Sequence, residues 1–176
     1  NNTISNINDR VTAIEEKIEN LKIEDRIIEF NVSSATVNLA AKALNTVPGK
    51  IAKSMAFDLG DKFAVIVMTG DVKIDNSKYK QQFHTKAKMV SYDNVGNVVG
   101  PSAGGVCPFA LNSGVEVYLD RSLFKYETVF PACGSSNSAA EFTATELEKY
   151  ADDENVLNRF ISIKEAKKKQ LVEYIR

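Results

Sequence analysis

The sequence has few of the residues that bind metals or form disulfides. Its 176 residues include two cysteines, Cys107 and Cys133, and one histidine, His84. Two cysteines do not build a disulfide framework, and together with one histidine they are too few for a zinc site. We therefore expect a reduced, cytoplasmic setting and a protein without a metal or other cofactor.

Long apolar runs are missing as well. No stretch approaches the length of a membrane-spanning helix, and the polar first residues lack the apolar segment of a signal peptide. We expect no membrane partner. The first residue is Asn1 rather than methionine, so we expect the chain to be a piece of a longer protein.

The familiar motifs of nucleophilic and nucleotide-binding enzymes are also absent. There is no G-x-S-x-G elbow and no Walker A lysine, and residues 100–105 do not fit G-x-G-x-x-G. Cys107 is followed by Pro108 rather than by a helix start, which favours a small buried side chain over a catalytic thiol. His84 follows a predicted helix in a basic stretch, which favours a surface position. Ser135 has no histidine partner.

The composition suits one folded domain with its own core. Hydrophobic residues make up 44% of the chain, and the net charge is −1. The charge is uneven, because residues 42–88 contain nine lysines and four acidic residues. This local excess indicates a phosphate-bearing partner, and a set of solvated lysines is the alternative interpretation.

Strand and helix patterns alternate irregularly, which predicts a mixed α/β (α+β) domain over residues 25–151. Strands are predicted at 27–32, 51–59, 63–69, 115–119 and 128–132, with a turn of helix at 122–126. Helices are predicted at 35–44 after a Ser34 cap, at 76–83, at 93–99 and, after a capping box at Thr143, at 143–150. Apolar spacing predicts an amphipathic helix over 1–24, and residues 152–176 read as a charged helical tail or linker.

A glycine-rich loop is the most informative feature of the chain. It runs from Gly100 through the pair Gly104-Gly105 to Phe109. Adjacent glycines let the backbone approach a ligand closely and aim its amides at an oxygen. A pocket built largely of main chain is therefore predicted here.

Lys53 stands in an otherwise small or apolar strand. Because alternate residues of a strand share a face, Lys53 should point the same way as Ile51 and Met55. A lysine on such a face either snorkels to solvent or reaches into a pocket, where its charge suits a phosphate or a developing oxyanion.

Five sequence blocks occur in a characteristic order. They are Ile51-Ala-Lys53-Ser, Val65-Ile-Val-Met-Thr-Gly70-Asp71, Gly100 to Phe109, Val117-Tyr-Leu-Asp120-Arg-Ser-Leu123, and Val129-Phe-Pro-Ala-Cys-Gly134-Ser135. This set closely resembles the YbaK/prolyl-tRNA-synthetase-associated domain, a family of aminoacyl-tRNA deacylases that edit in trans or in cis. The resemblance covers about residues 27–150.

The resemblance implies a barrel-like mixed β-sheet flanked by helices. It also implies hydrolysis of the ester that joins a wrong amino acid, alanine or cysteine, to the tRNA that accepts proline. The invariant lysine of the family matches Lys53, and we expect the amides of Gly104 and Gly105 to form the oxyanion hole. The residues that match the family's substrate-binding loops are Gly100, Val106, Cys107, Pro108, Phe109, Gly134 and Ser135.

The expected partner is the acceptor end of tRNA, faced by the basic segment, rather than DNA or a membrane. Two competing hypotheses remain, a non-catalytic tRNA- or protein-binding module of the same fold and a small-molecule-binding domain. The retained Lys53 and the Gly104-Gly105 pair favour the enzyme. The tail after Tyr150 further predicts an editing domain cut from a larger protein, such as a prolyl-tRNA synthetase carrying it at the N-terminus.

Overall fold

The computed structural model describes Thr12 and residues 26–100, 106–109, 111–151 and 160–166. Apart from Thr12, the helix predicted over 1–24 lies outside these residues, as do residues 152–159 and 167–176 of the predicted tail. Among the helices of the described part, none combines the length and the apolar character that crossing a membrane requires.

Seven strands form in the described part of the chain. They are β1 (Ile27–Glu29), β2 (Ile51–Asp58), β3 (Phe63–Thr69), β4 (Glu116–Asp120), β5 (Phe130–Pro131), β6 (Ser138–Ala140) and β7 (Phe160–Ile161). Five of them make one sheet in the order β5-β2-β3-β4-β7. Only the β2–β3 pair is antiparallel in this sheet, since β5, β4 and β7 each run parallel to their neighbour.

The other two strands, β1 and β6, pair antiparallel with each other. Bridges between Val129 and Phe142 and between Ala132 and Ala139 connect the region of β6 to the residues just before and just after β5. The sheet therefore continues around the core, and the predicted barrel-like mixed sheet flanked by helices is confirmed.

Four α-helices flank the strands in the described residues, namely α1 (Val37–Ala43), α2 (Asn76–Phe83), α3 (Tyr92–Val98) and α4 (Ala144–Tyr150). The carboxylate of Asp75 caps α2 by accepting from the Lys78 amide. The hydroxyl of Thr143 and the carboxylate of Glu146 form a reciprocal capping box on α4. The predicted α2 and the predicted capping box are both confirmed.

The start of α1 differs from the prediction. Thr36, not Ser34, caps the helix by accepting from the Leu39 amide. The Ser34 hydroxyl instead donates to the carbonyl of Ser136 at 3.1 Å. Because Ser33, Ser34 and Thr36 are all good capping residues, the sequence alone does not select among them. Short 3₁₀ helices occupy Pro48–Lys50 and Arg121–Lys125, the second where a turn of helix was predicted.

The β2–β3 hairpin lies at the centre of the core. The segment from Ala64 to Thr69 is at most 1% exposed, so β3 is buried on both faces, in agreement with its unbroken run of apolar residues. One hairpin face, including Ala52 and Val67, packs in the largest core cluster beside residues of α3 and α4. The other face, including Ile66, packs against Tyr79 of α2.

Residues 160–166 correct the prediction of a helical tail. Phe160–Ile161 forms β7 on the edge of the sheet, and Lys164 pairs with Ile74. Ile163 is fully buried, and its amide donates to the Asp120 carboxylate at 2.9 Å. The helical prediction was wrong for these residues because Ile161-Ser-Ile163 alternates with the period of a strand, a signal hidden between charged segments.

Candidate functional site

A cavity of about 140 Å³ opens beside the first residues of β2, and we call it the β2 cavity. Strand β5 pairs with β2 only at Ile51 and Ala52, so the strand edge at Lys53 and Ser54 lacks β5 as a partner. The other described walls come from three places: the segment that precedes α1, the residue Val106, and the region of β5 and β6. Most side chains of the lining are small, including Ala35, Ala40, Ala52, Ala132 and Ala139.

Lys53 lines the β2 cavity and shares its strand face with Ile51 and Met55, as alternation predicted. Its Nζ donates to the carbonyl of Val72 at 2.6 Å. Partial burial lowers the pKa of Lys53 below its ordinary value; the charge of Asp71 opposes this effect and that of Lys73 adds to it. The ammonium is thus held against main chain instead of extending into bulk water.

Ser54 is a lining residue that the sequence reasoning did not single out. Its Oγ is buried and has no hydrogen-bond partner among the described residues. Such a hydroxyl costs free energy unless a ligand or water satisfies it. The available signal was its position in the strand, where alternation places Ser54 on the same face as the core residues Ala52 and Ala56.

The glycine loop reaches the β2 cavity at its end. Gly104 and Gly105, the predicted oxyanion-hole residues, lie outside the described residues. Gly100 is buried and has a φ of 125°, a left-handed conformation that glycine adopts without strain. Val106 lines the cavity. The described ends of the loop therefore place its exit at the cavity wall.

Three further residues of this loop are buried in the core and do not line the β2 cavity. Cys107, Pro108 and Phe109 are all buried, and Cys107 and Phe109 belong to the largest core cluster. None of the three is among the described residues that line the β2 cavity. Burial raises the pKa of the Cys133 thiol, and the neighbouring Cys107 adds to this. Cys107 has the small, buried side chain that the sequence favoured.

The loop Gly134-Ser135, which was also predicted to bind substrate, reaches the β2 cavity through the neighbouring residue Ser138. Gly134 is buried with a φ of 87°, and Ser135 is half-buried. The Ser135 hydroxyl donates to Asn137 Oδ1 at 2.9 Å and lies 2.7 Å from Ser138 Oγ. Ser138 lines the cavity, whereas Gly134 and Ser135 are not among its described lining residues. The structure therefore places Ser135 where it holds a wall residue in position.

His84 is exposed and ends α2 in a left-handed conformation with a φ of 59°. No group of three or more His, Cys, Asp or Glu side chains that suits a metal occurs in the part of the chain that the structure describes. The described site consists of a small, mostly apolar cavity with one ammonium and one unpartnered hydroxyl at its wall. Such a site can accept a small acyl group and place a positive charge beside it.

Comparisons with known proteins place this arrangement in a family. The model of the "Aminoacyl-tRNA editing domain" family matches residues 32–150, more than half of the chain. The chain is 49% identical to "Uncharacterized protein YwhH" of Bacillus subtilis over 129 residues, which are 73% of this chain and 82% of that protein. It is 24% identical to "Proline--tRNA ligase" of Bacillus cytotoxicus over 107 residues, which are 60% of this chain and 19% of the ligase.

A solved structure shares the fold. It is described as "a putative trans-editing enzyme for prolyl tRNA synthetase" and superposes with a TM-score of 0.76 at 22% identity, covering 89% of this chain and 98% of that one. Because the family model matches more than half of it, the chain belongs to the aminoacyl-tRNA editing domain family.

Proposed function

We propose that this editing domain hydrolyses the ester bond of mischarged proline tRNA and releases alanine or cysteine. The β2 cavity is the observation that carries the proposal. Its volume of about 140 Å³ is well below the roughly 300 Å³ at which sites for drug-sized ligands begin. Its alanine-rich wall suits a small aminoacyl group and leaves the nucleotide outside.

An aminoacyl ester is already reactive, so the protein mainly has to position water and stabilise the oxyanion. Water attacks the ester carbonyl, the carbon–oxygen bond to the ribose breaks, and the ribose oxygen takes up a proton. The amides of Gly104 and Gly105 would donate to the oxyanion, with a hydroxyl or thiol of the substrate assisting the proton transfer.

Lys53 would hold the terminal phosphate or ribose region of the tRNA. Its ammonium has three N–H donors, and the Val72 carbonyl accepts from one of them. Partial burial strengthens its interaction with an anion, because the local dielectric constant is lower than in water. Gly100 and Val106 would keep the glycine loop at the cavity, while Cys107, Pro108, Phe109, Gly134 and Ser135 would support its walls.

The acceptor end of proline tRNA is the proposed partner, and the cytoplasm is the proposed place of action. The relation to a proline–tRNA ligase supports both, since a synthetase makes the mischarged product that an editing domain removes. The same residues would serve a domain that acts by itself and one attached to a synthetase.

The test is release of the amino acid from alanyl-, cysteinyl- and prolyl-charged proline tRNA. We expect release from the alanyl or the cysteinyl substrate and none from the prolyl substrate. Lys53→Ala should lower kcat/KM by about 10- to 100-fold, because a hydrogen bond to a charged group such as phosphate contributes about 1.5–3 kcal/mol. Lys62→Ala is the matched control, because Lys62 lies at the opposite end of β2 and β3 and pairs with Glu116.

A non-catalytic tRNA-binding module is the alternative, favoured by the lysine-rich segment 42–88. Tight binding of proline tRNA without release of any amino acid would establish that module instead. Release that persists at the wild-type rate in Lys53→Ala would remove the lysine from the mechanism.

A further inference from the structure

A second opening is lined by Val72, the residue whose carbonyl accepts from Lys53, and we call it the lysine cleft. It has a volume of about 320 Å³. Three separate parts of the chain form its walls: the end of β3 with the turn that follows, the 3₁₀ helix Arg121–Lys125, and the segment after β7. Antiparallel pairing of Ile74 with Lys164 holds the third part in place.

Charged residues surround the lysine cleft. Lys73, Lys125 and Lys164 line it together with two acidic residues, Asp71 and Glu165. Asp71 lies 3.8 Å from Lys125, so one acid is already compensated by one lysine. The remaining balance is positive, and Lys53 lies next to it, bonded to the carbonyl of the lining residue Val72.

A buried hydroxyl at the floor of the cleft gives independent evidence for a ligand. Thr69 is 0% exposed and lines the cleft, yet its Oγ1 has no hydrogen-bond partner among the described residues. Beside it, Ser122 Oγ accepts from the Thr69 amide at 3.3 Å, which leaves the Ser122 proton free to point elsewhere. Two hydroxyls below a rim of ammonium groups make a site suited to an oxyanion.

We propose that the lysine cleft binds a phosphate group of an RNA backbone. The chemistry of a phosphate follows from the lysines and hydroxyls, and the choice of RNA as its source rests on the proposed function. Val72 supports this choice, because it lines the cleft and its carbonyl accepts from Lys53. The bond from Lys53, which lines the β2 cavity, to Val72 of the cleft joins the two openings, so one RNA strand that ends in the β2 cavity is the proposed source of the phosphate.

The experiment measures binding of uncharged proline tRNA and of a single-stranded RNA trinucleotide as a function of salt. The test variant Lys73→Ala/Lys164→Ala is compared with Lys62→Ala/Lys88→Ala, which removes the same charge at the opposite end of the hairpin. Lys62 and Lys88 also belong to the lysine-rich segment 42–88, but they pair with Glu116 and Asp58, and the cleft proposal assigns them no contact with RNA. We expect about tenfold weaker binding for the test variant, with a slope of log K against log salt smaller by about 0.7 for each lost phosphate contact. The control pair should bind as the wild type does.

Thr69→Val separates the cleft from general electrostatics, because it keeps the shape and the charge of the site. We expect severalfold weaker RNA binding without any fall in unfolding temperature. Equal losses in both lysine pairs, or unchanged binding by Thr69→Val, would overturn the proposal. If adenosine monophosphate binds as tightly as the trinucleotide, free nucleotide replaces RNA as the ligand.

These binding measurements use RNA that carries no amino acid, so they do not depend on deacylation. Absent deacylation with cleft-dependent RNA binding would reject the proposed function and keep the cleft. If Lys73→Ala/Lys164→Ala deacylates normally, with the KM and the RNA binding of the wild type, the proposed function is kept and the cleft is rejected as a phosphate site.

Discussion

Lys53 lines the β2 cavity and bonds to Val72 of the lysine cleft, and the linings of these two openings differ in kind. The β2 cavity has mostly alanine and other small side chains, and the lysine cleft has three lysines and two acidic residues. Each contains one buried hydroxyl without a partner among the described residues, Ser54 in the first and Thr69 in the second. Under the two proposals, one opening selects a small aminoacyl group by its size and the other attracts a phosphate by its charge.

The two openings are close because of the hairpin register. Ala52 of β2 pairs with Thr69 of β3, so the wall of one opening continues directly into the floor of the other. Gly70 follows, and a Cβ there would lie 2.4 Å from Val37 Cγ1 and 2.6 Å from the Pro48 carbonyl oxygen. Only glycine therefore lets α1 approach closely enough for its first residues to line the β2 cavity.

The largest effect that would test this division is expected from filling the β2 cavity. Ala132→Leu places a larger side chain in its wall and should exclude part of the aminoacyl group. We expect kcat/KM for mischarged tRNA to fall by at least about 10- to 200-fold, because leucine adds three carbon atoms and a misfit of one methylene in a pocket already has an effect of that size. Binding of uncharged tRNA should not change, since the lysine cleft is intact.

Ala132→Val adds a smaller side chain than Ala132→Leu does, so it should show a smaller loss of turnover. Unfolding temperatures of both variants check that the loss is not caused by misfolding. If Ala132→Leu weakens tRNA binding as strongly as it slows deacylation, the two openings do not have separate roles.

Local signals explain which parts of the fold could be predicted. Strand Phe63–Thr69 and helices Asn76–Phe83 and Ala144–Tyr150 agree with the predicted ranges to within one residue. Their signals are an unbroken apolar run, an aspartate cap and a capping box, which act within a few residues. The short strand Ser138–Ala140 has no such signal, and the alternation at Phe160–Ile161 extends over only a few residues, so both strands depend on partners far away in the chain.

The candidate site shows the same limit. Lys53 could be placed on its strand face by alternation alone, and Val106 follows the glycine loop into the cavity wall. The lysine cleft could not be predicted, because Thr69, Ser122 and Lys164 meet only through the tertiary fold. Its third wall depends on β7, in a segment where a helix was expected.

A smaller effect concerns the two unpartnered hydroxyls. Thr69→Val removes a buried polar group at nearly constant shape, so we expect unfolding free energy to rise by about 1 kcal/mol. That corresponds to an unfolding temperature higher by about 2–4 °C for a protein of this size. Ser54→Ala should gain less, because it leaves a small void where the oxygen was.

Ser122→Ala is the matched control for this measurement, since its hydroxyl accepts from the Thr69 amide. Its loss leaves a buried donor unsatisfied and should lower the unfolding free energy by about 1 kcal/mol or more. A lower unfolding temperature for Thr69→Val would mean that its hydroxyl has a stabilising partner in the folded protein.

The smallest expected effect tests how strongly the two openings are coupled through Lys53. Its pKa lies below the ordinary lysine value because of burial, Asp71 raises it, and Lys73 lowers it. Deacylation that needs the ammonium should therefore decline with rising pH before an ordinary lysine would lose its proton. Asp71→Asn should move this decline to lower pH and Lys73→Ala to higher pH, each by less than about one unit.

Both substituted residues line the lysine cleft, whereas the measured rate reports on the β2 cavity. The measurement is kcat/KM as a function of pH, corrected for spontaneous ester hydrolysis. Opposite shifts of the pH at which kcat/KM declines in the two variants would show that charge in the cleft sets the protonation of Lys53. Identical profiles for the three proteins would mean that the openings act independently.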